Sequence, residues 1–216
     1  LGADSIYGGT GLDTIFGDDG VDGATITDRL FGGIGNDILY GGQGGDYLEG
    51  GIGDDRVFGG AMNDSLYGGD NNDSMNGGTG HDSLRGGDDV DILRGNHNND
   101  HLTGGNGNDG LNGGSGNDTL LGEGGDDLLI GEDGDDQLQD QSGKNTLWGG
   151  NGNDLLLTGD WDDLLYGGNG NNRLTANGGN DLLVTGYGND LLDGGAGNDQ
   201  FRAGAGNDTL YGGTGN

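Results

Sequence analysis

The sequence has no cysteine and no proline, and only 28% of its 216 residues are hydrophobic. The absence of cysteine excludes a fold stabilised by disulfides. No run of 18 apolar residues occurs, so the sequence predicts no membrane-spanning helix and no membrane insertion. Seven lysine and arginine residues stand against 38 aspartate and glutamate residues, which gives a net charge of −31. This charge would repel nucleic acids and anionic membranes, so cations are the expected partners.

Glycine and aspartate are abundant instead, and they repeat. The chain contains 59 glycines. Aspartates occur at residues 4, 13 and 22, and then every nine residues from Asp28 to Asp208, with Asn145 and Asn172 as the exceptions. An apolar residue stands two places after each of these positions. The shorter spacing between residue 22 and Asp28 is read as three missing residues, and it predicts an irregular coil near residues 17–31.

The repeated turn offers oxygen ligands for a metal ion. Glycine adopts positive φ without steric cost, so glycines at the first, second and fourth places of the turn allow its carbonyl groups to point inward. Carbonyl and carboxylate oxygens are hard ligands, and calcium takes about six to eight of them in flexible geometry. The pattern therefore predicts calcium sites in the turns. A three-residue strand after each turn is expected to direct its middle, apolar residue into a narrow core.

The segments Gly8–Asp13, Gly113–Asp118 and Gly194–Asp199 resemble the nonapeptide G-G-x-G-x-D-x-U-x of the RTX (repeats-in-toxin) family. The resemblance covers essentially the whole chain. It implies an all-β fold, a right-handed parallel β-roll (β-solenoid) that is one continuous unit over residues 1–216. Each 18-residue coil would contain two short strands and two turns, with about 12 coils in all. Calcium would lie in the turns between successive coils, roughly 15–20 ions in total.

The resemblance also implies which residues bind calcium. The predicted side-chain ligands are Asp13, Asp37, Asp46, Asp55, Asp64, Asp73, Asp82, Asp91, Asp100, Asp109, Asp118, Asp127, Asp136, Asp154, Asp181, Asp190, Asp199 and Asp208. The predicted carbonyl ligands include those of Gly33, Gly35, Gly42, Gly44, Gly51, Gly53, Gly105, Gly107, Gly114, Gly116, Gly150, Gly152, Gly195 and Gly197. No catalytic residue and no enzymatic activity are predicted, because no serine or cysteine stands beside a plausible base and the clustered carboxylates are better explained as ligands.

A degenerate region is expected near residues 140–175. At Asn145 the turn lacks its carboxylate and gains Lys144, and the next turn on the same edge has Trp161 where glycine belongs. The sequence therefore predicts a gap in one column of calcium ions at Asn145 and weaker coordination at Asn172. Because the core is small and the carboxylates are stacked, folding is expected to depend on calcium.

Outward-facing residues of this region are unusually apolar. Those expected on one sheet form two adjacent columns, which comprise Leu128, Ile130, Trp148, Leu164, Tyr166, Leu182 and Val184. Columns of this length would expose several hundred Å², the size at which apolar patches usually mark contacts. The sequence thus predicts that this face packs against a partner, either another copy of the chain or a neighbouring domain.

The resemblance to RTX proteins further implies export through a bacterial type I secretion channel and a secreted, extracellular or cell-surface location. In that setting the sequence favours a structural spacer or an adhesin-type element of a secreted protein. One alternative is a polysaccharide-binding or folding-assisting module of a secreted enzyme or toxin. Another is a subunit that stacks end to end into a surface filament, because neither end of the sequence carries a polar cap.

Overall fold

The computed structural model describes residues 3–17 and 26–215, which form 23 β-strands and two parallel sheets. Sheet A contains β1 (Ser5–Thr10), β3 (Arg29–Ile34), β5 (Tyr47–Ile52), β7 (Ser65–Asp70), β9 (Ser83–Asp88), β11 (His101–Asn106), β13 (Thr119–Gly124), β15 (Gln137–Gln139), β17 (Leu155–Leu157), β19 (Arg173–Thr175), β21 (Leu191–Asp193) and β23 (Thr209–Tyr211). Sheet B contains β2 (Thr14–Phe16), β4 (Ile38–Gln43), β6 (Arg56–Ala61), β8 (Ser74–Thr79), β10 (Ile92–His97), β12 (Gly110–Ser115), β14 (Leu128–Asp133), β16 (Thr146–Asn151), β18 (Leu164–Asn169), β20 (Leu182–Thr185) and β22 (Gln200–Arg202).

The chain winds as a β-solenoid, because consecutive strands alternate between the two sheets. Each strand pairs in parallel with the strand two places later, and the usual register joins residues 18 apart, such as Leu39 with Val57. Two nonapeptides therefore make one coil, as the repeat predicts. No helix is found in the described ranges, and accordingly none there is long and apolar enough to cross a membrane.

The core is a double column of single residues. The apolar residue two places after each aspartate points inward, and from Leu30 to Leu192 these side chains are at most 1% exposed. Inward residues of neighbouring coils face each other in register, as Leu93 does with Met75 and Leu111. Each side chain in this column is buried between the coils above and below it. This burial stabilises the folded chain by about 2 kcal/mol for each side chain. The structure confirms the predicted inward-facing residues from Leu30 to Leu192.

The expectation of three-residue strands is wrong for much of the solenoid. Strands β3 to β14 each have six residues, because backbone pairing continues through the two glycines of the turn; Gly42 and Gln43 of β4, for example, pair with Gly60 and Ala61 of β6. Three-residue strands do occur in sheet A from β15 onward. This change of strand length begins immediately before Asp140.

The irregular spacing near the start of the chain is an insertion and not a deletion. β1 pairs with β3, and β2 with β4, in a register that joins residues 24 apart instead of 18. The first coil therefore has six additional residues, and Asp28 continues the column of Asp4, whose N–H it accepts at 2.8 Å. Most of the predicted irregular coil, including residues 22 and 24 of the repeat grid, lies outside the described residues.

Candidate metal centre

The nine repeat positions are numbered here from the first glycine of the turn, so the aspartate is position 6 and the core residue position 8. Most glycines at position 2 and the glycines at position 4 have positive φ, as in Gly33 (φ 114°) and Gly35 (φ 132°). Gly159 and Gly186 at position 2 are exceptions. Met62 at position 4 also adopts φ 78°, so it fits the ordinary turn despite its side chain. The predicted role of glycine is thus correct at positions 2 and 4.

Glycine at position 1 is required for space. A Cβ on Gly32 would lie 2.5 Å from the carbonyl oxygen of Gly50 and 2.6 Å from Oδ2 of Asp37. A Cβ on Gly8 would meet the carbonyl of Gly32 and Oδ2 of Asp13 at similarly short distances. Each such turn therefore encloses a small cradle, where a carboxylate oxygen of one coil and a carbonyl oxygen of the next coil lie close together.

The two carboxylate oxygens of a position 6 aspartate are in different environments. Oδ1 accepts a hydrogen bond from the backbone N–H of the aspartate 18 residues earlier, as Asp55 does from Asp37 at 2.7 Å and Asp109 from Asp91 at 2.8 Å. These hydrogen bonds form a ladder that runs from coil to coil. The ladder requires a short side chain, because Oδ1 must lie next to the backbone N–H of the neighbouring coil. It explains why glutamate does not occur on the grid.

Oδ2 is buried and accepts no hydrogen bond within the described part of the chain. This holds at Asp13, Asp37, Asp55, Asp64, Asp73, Asp82, Asp91, Asp100, Asp109, Asp118, Asp136, Asp154, Asp181, Asp190 and Asp199. A buried charged oxygen without a partner is strongly unfavourable unless it binds a proton or a metal ion. The donor set in each cradle, a carboxylate and carbonyl oxygens, is the set that calcium prefers.

The electrostatics of the column favour a bound cation. Burial, with smaller contributions from neighbouring aspartates, raises the pKa of Asp64 and of Asp73 from the usual 3.8 to about 8. The same causes raise the pKa of Asp100 and of Asp136 to about 7. Hydrogen bonds from the backbone oppose this shift without cancelling it. A divalent cation beside these oxygens would stabilise their charged form.

No group of three or more His, Asp or Glu side chains converges among the described residues. Backbone carbonyls must therefore complete any coordination shell.

The family profile of the RTX calcium-binding nonapeptide repeat matches the chain from end to end, in overlapping segments 1–24, 22–57, 49–84, 76–111, 85–120, 111–138, 121–156, 148–183, 157–192 and 184–216. The chain belongs to the RTX calcium-binding nonapeptide repeat family. Membership implies that it binds several calcium ions. None of the curated proteins compared with the chain matches it.

The two asparagines of the RTX grid show where the turn carbonyls point. Asn145 keeps the ladder, since its Oδ1 accepts the N–H of Asp127 at 2.9 Å, while its Nδ2 donates to the carbonyls of Ser142 and Gly143 at 3.1 and 3.3 Å. Asn172 Nδ2 lies 3.3 Å from the carbonyl of Gly168 in the same arrangement. An amide donor thus occupies the place where a cation would neutralise the carbonyl oxygens. The calcium gap predicted at Asn145 and the weaker coordination predicted at Asn172 stay predictions.

The RTX turns contain a second ladder that the sequence analysis missed. At position 5 a side-chain oxygen accepts the backbone N–H of position 5 in the following coil, as Asn117 does from Asp135 at 3.0 Å and Asn171 from Asn189 at 2.8 Å. Its direction is opposite to that of the aspartate ladder. The signal was present in the sequence, because Asn or Asp fills position 5 in most repeats.

Three further aspartates belong to the site although they were not among the predicted ligands. Asp28 is 1% exposed, and a Cβ on Gly17 would lie 2.8 Å from its Oδ2 and 2.6 Å from the carbonyl oxygen of Gly41. Asp163 lies in the turn that contains Trp161, yet it is fully buried like the aspartates of the ordinary turns. Trp161 is accommodated because that turn does not adopt positive φ at position 4. Asp140 stands at position 1, where its carboxyl enters the cradle of Gly122. The remaining predicted aspartates all lie in the two columns, with Asp199 and Asp208 less buried at the last coils.

Proposed function

We propose that the chain is an extracellular calcium-binding module that folds when it binds calcium, and that it serves as a structural spacer or adhesin-type element of a secreted protein. The observation that carries this proposal is the column of buried Oδ2 atoms without hydrogen-bond partners. These oxygens destabilise the metal-free coil, whereas a bound divalent ion stabilises it. Membership of the RTX family supports secretion, with type I export as the route.

The ligands follow from the cradles. In each ordinary turn the ion would be held by Oδ2 of the position 6 aspartate and by turn carbonyls of the same and the next coil. Asp37, Asp55, Asp109 and Asp118 are proposed to hold ions, with a gap at Asn145. Calcium bound at these four aspartates would supply positive charge that neutralises the carboxylates. The chain's own contribution is to fix each carboxylate through its Oδ1 hydrogen bond and to exclude water by stacking the coils.

The aromatic residues favour a structural role over sugar binding. Outward rings of neighbouring coils stack face to face, as Phe16 does on Tyr40 at 4.9 Å and Tyr40 on Phe58 at 4.9 Å between ring centroids. Ring faces that cover one another within the ladder are not free to bind a sugar ring. Such cross-strand pairs contribute about 0.2–1 kcal/mol each to the sheet.

Self-association through the apolar face of sheet B is part of the proposal. The register forms two adjacent outward columns. One contains Leu128, Thr146, Leu164 and Leu182, and the next contains Ile130, Trp148, Tyr166 and Val184. Leu128, Trp148 and Leu164 remain 41%, 45% and 39% exposed. A second copy of the chain, or a neighbouring domain, would cover this surface.

Replacing Trp148 and Leu164 by serine should abolish self-association in sedimentation experiments without loss of calcium-dependent folding. A strictly monomeric parent protein would exclude a second copy of the chain as the partner.

A calcium titration followed by far-ultraviolet circular dichroism tests the proposed function. We expect a cooperative gain of β structure at about 0.1–1 mM calcium, the affinity range of extracellular modules, and a much weaker response to magnesium. A protein that is already ordered in chelator, or that folds at submicromolar calcium as it would in the cytosol, would contradict the proposal.

A further inference from the structure

The apolar face of sheet B begins at a recess. Gly110 occupies the outward position 7 of β12, in register between Ile92 of β10 and Leu128 of β14. Ile92 and Leu128 are 45% and 41% exposed. Apart from its chain neighbours, a Cβ on Gly110 would have no atom nearer than the carbonyl oxygen of Asp91, at 3.9 Å. The missing side chain therefore leaves a recess between two exposed apolar side chains, called here the Gly110 recess.

The walls of the Gly110 recess are apolar on the sheet and charged at the turn. Val90, which is 48% exposed, lines it together with Ile92 and Leu128. Asp126 and Lys144 border it on the side of the turn. The chain carries a net charge of −31, yet outward positions 7 and 9 from β10 to β20 contain no acidic residue. The recess and the face beside it can therefore accept an apolar group without placing it against a carboxylate.

A side chain that fits the recess lies on the same face. The register joins Gly110, Leu128, Thr146 and Leu164 in one column, so Leu164 lies three coils from Gly110, about 14 Å away. Leu164 is 39% exposed. The recess and Leu164 are equally far from a line that runs midway between β14 and β16. A two-fold axis on this line would place Leu164 of each copy over Gly110 of the other, because a two-fold interface uses the same patch on both copies.

The other residues of the face fit the same axis. Leu128 of one copy would face Thr146 of the other, and Ile130 would face Trp148. Each large side chain therefore meets a smaller one, as Leu164 meets glycine. At positions 7 and 9 of the central coils, no two aromatic rings oppose each other. Such matching of large to small residues is what close packing between two surfaces requires.

The charges at the turn favour the same axis. It would pair Asp126 of one copy with Lys144 of the other, and Lys144 is the only lysine of the chain. Within one copy, Lys144 Nζ lies 3.5 Å from Oδ2 of Asp162 on the same edge. An axis through β16 would instead set Lys144 against Lys144 and Asp126 against Asp162. An axis through β14 would set Asp126 against Asp126. Juxtaposed like charges oppose association, so both of these axes are disfavoured.

An axis midway between β16 and β18 avoids like charges but uses the face less well. It would set Trp148 against Tyr166, two large rings that project from the same height. It would also leave the Gly110 recess opposite Gln200, a polar residue. The recess thus distinguishes between the two arrangements.

We propose that the apolar face of sheet B binds a second copy of the chain with antiparallel solenoid axes, so that Leu164 of each copy enters the Gly110 recess of the other. The overlap from β10 to β20 covers six coils, about 29 Å, by about 20 Å of strand. This is about 600 Å² on each copy and about 1,200 Å² in total, the lower end of the range for specific interfaces. The inference rests on the proposed self-association of this face, and it specifies the partner and the register.

Filling the recess tests the inference. Gly110→Leu adds an apolar side chain to an outward position, so unspecific association through apolar surface would become tighter. The proposed interface would become weaker, because the added side chain takes the place of Leu164. We expect the Kd of the dimer in calcium, from sedimentation, to rise about 10-fold or more. Ser74→Leu is the matched control, because it adds the same side chain to the same column two coils away, and it should not weaken the dimer.

A distance between two copies tests the register without altering the interface. The chain has no cysteine, so a nitroxide on Arg56→Cys is the only label. The proposed axis lies four and a half coils from β6, so electron paramagnetic resonance should give about 45 Å between the two labels of a dimer. A distance of about 55 Å would place the axis between β16 and β18, and one of about 10 Å would indicate solenoids that run in parallel. Either value would overturn the proposed register.

The outcomes separate this inference from the proposed calcium-dependent folding. A protein that folds in calcium but stays strictly monomeric, or a tighter dimer of Gly110→Leu, would overturn the inference and leave calcium-dependent folding intact. A chain that stays unfolded in calcium would overturn both. Circular dichroism of each sample before sedimentation distinguishes these cases.

Discussion

At the scale of single residues, one aspartate per turn holds the backbone of the neighbouring coil and, in the proposed calcium site, would also bind the metal ion. Oδ1 of Asp109 accepts a backbone N–H from the neighbouring coil, and Oδ2 of the same side chain lies buried beside the turn carbonyls. Asparagine can replace the first function but not the second, since its Nδ2 donates where the carboxylate accepts, as Asn145 shows. Alanine replaces neither. The repeat therefore tolerates asparagine at isolated positions without losing the coil.

Substitutions at Asp109 separate these two functions. Asp109→Asn should retain the coil and lose one calcium ion, because the amide donates to the turn carbonyls. Asp109→Ala should lose the same ion and also destabilise the calcium-bound protein by about 1–3 kcal/mol more, because the N–H of Asp91 loses its acceptor in a buried place. Native mass spectrometry and urea unfolding in calcium measure the two effects. Equal stability of the two variants would refute the structural function of Oδ1.

The raised pKa values predict opposite effects of pH with and without calcium. Burial raises the pKa of Asp64 and Asp73 to about 8 in the metal-free coil, so the coil binds protons more tightly than the unfolded chain, in which the pKa is near 3.8. In chelator, the coil is therefore most stable in acid and loses stability as the pH rises from about 4 to about 8. With calcium the dependence reverses, because protons compete with the ion for the same oxygens.

Circular dichroism of the chelated protein between pH 4 and pH 8 checks this sign. We expect β structure to appear on acidification, and the calcium midpoint to rise as the pH falls. Loss of β structure on acidification in chelator would show that these carboxyls are not buried in the metal-free coil.

At the scale of the elements, the length of a strand is related to the residue at position 1 of the turn that follows it. From β3 to β19, strands followed by glycine at position 1 have six residues, and the strands of sheet A followed by Asp140, Thr158 or Ala176 have three. Strands β2, β21 and β23 have three residues although glycine follows each of them. The side chain at position 1 would otherwise collide with the cradle oxygens. Between β3 and β19, glycine at position 1 therefore allows the longer strand, and it leaves the cradle open.

A single methyl group tests this control. Gly32→Ala places a Cβ 2.5 Å from the carbonyl oxygen of Gly50 and 2.6 Å from Oδ2 of Asp37, so it should raise the calcium concentration needed for folding severalfold. Its control is Gly110→Ala, on an outward strand position where the nearest neighbouring atom is 3.9 Å away. The control should be neutral or slightly stabilising, because alanine lowers the entropy of the unfolded chain. Equal midpoints for both variants would contradict the cradle.

The sequence allowed much of this to be predicted, for a physical reason: a nine-residue period leaves few ways to place a small core and an acidic turn. It predicted the parallel solenoid, the 18-residue register and the inward residues from Leu30 to Leu192. It did not predict pairing through the glycines, because strand length depends on contacts between coils. The six-residue insertion before Asp28 was misread, since the grid alone does not say which aspartate continues a column. Asp140 was missed because the cradle that its carboxyl enters, beside Gly122, lies in another coil.

At the scale of the whole molecule, stability is divided between a narrow core and many charged turns. The chain has a net charge of −31, and its described core is one column of residues per sheet. Each coil contacts only its neighbours, so each turn adds a similar increment of core and a similar cost of charge. Without a counter-ion these costs accumulate along the solenoid, whereas with calcium each coil stabilises the next. The account therefore predicts one cooperative transition for the ordered solenoid.

Small-angle X-ray scattering of the same protein in chelator and in millimolar calcium at neutral pH tests calcium-dependent folding most directly. The account predicts a radius of gyration of about 50 Å in chelator, the value for an unfolded chain of this length, and about 20 Å in calcium. The calcium-bound particle should be a rod about 55 Å long, as strand spacings of about 4.8 Å require. A compact rod in chelator, with the same radius of gyration as in calcium, would contradict the claim that calcium drives the folding of this chain.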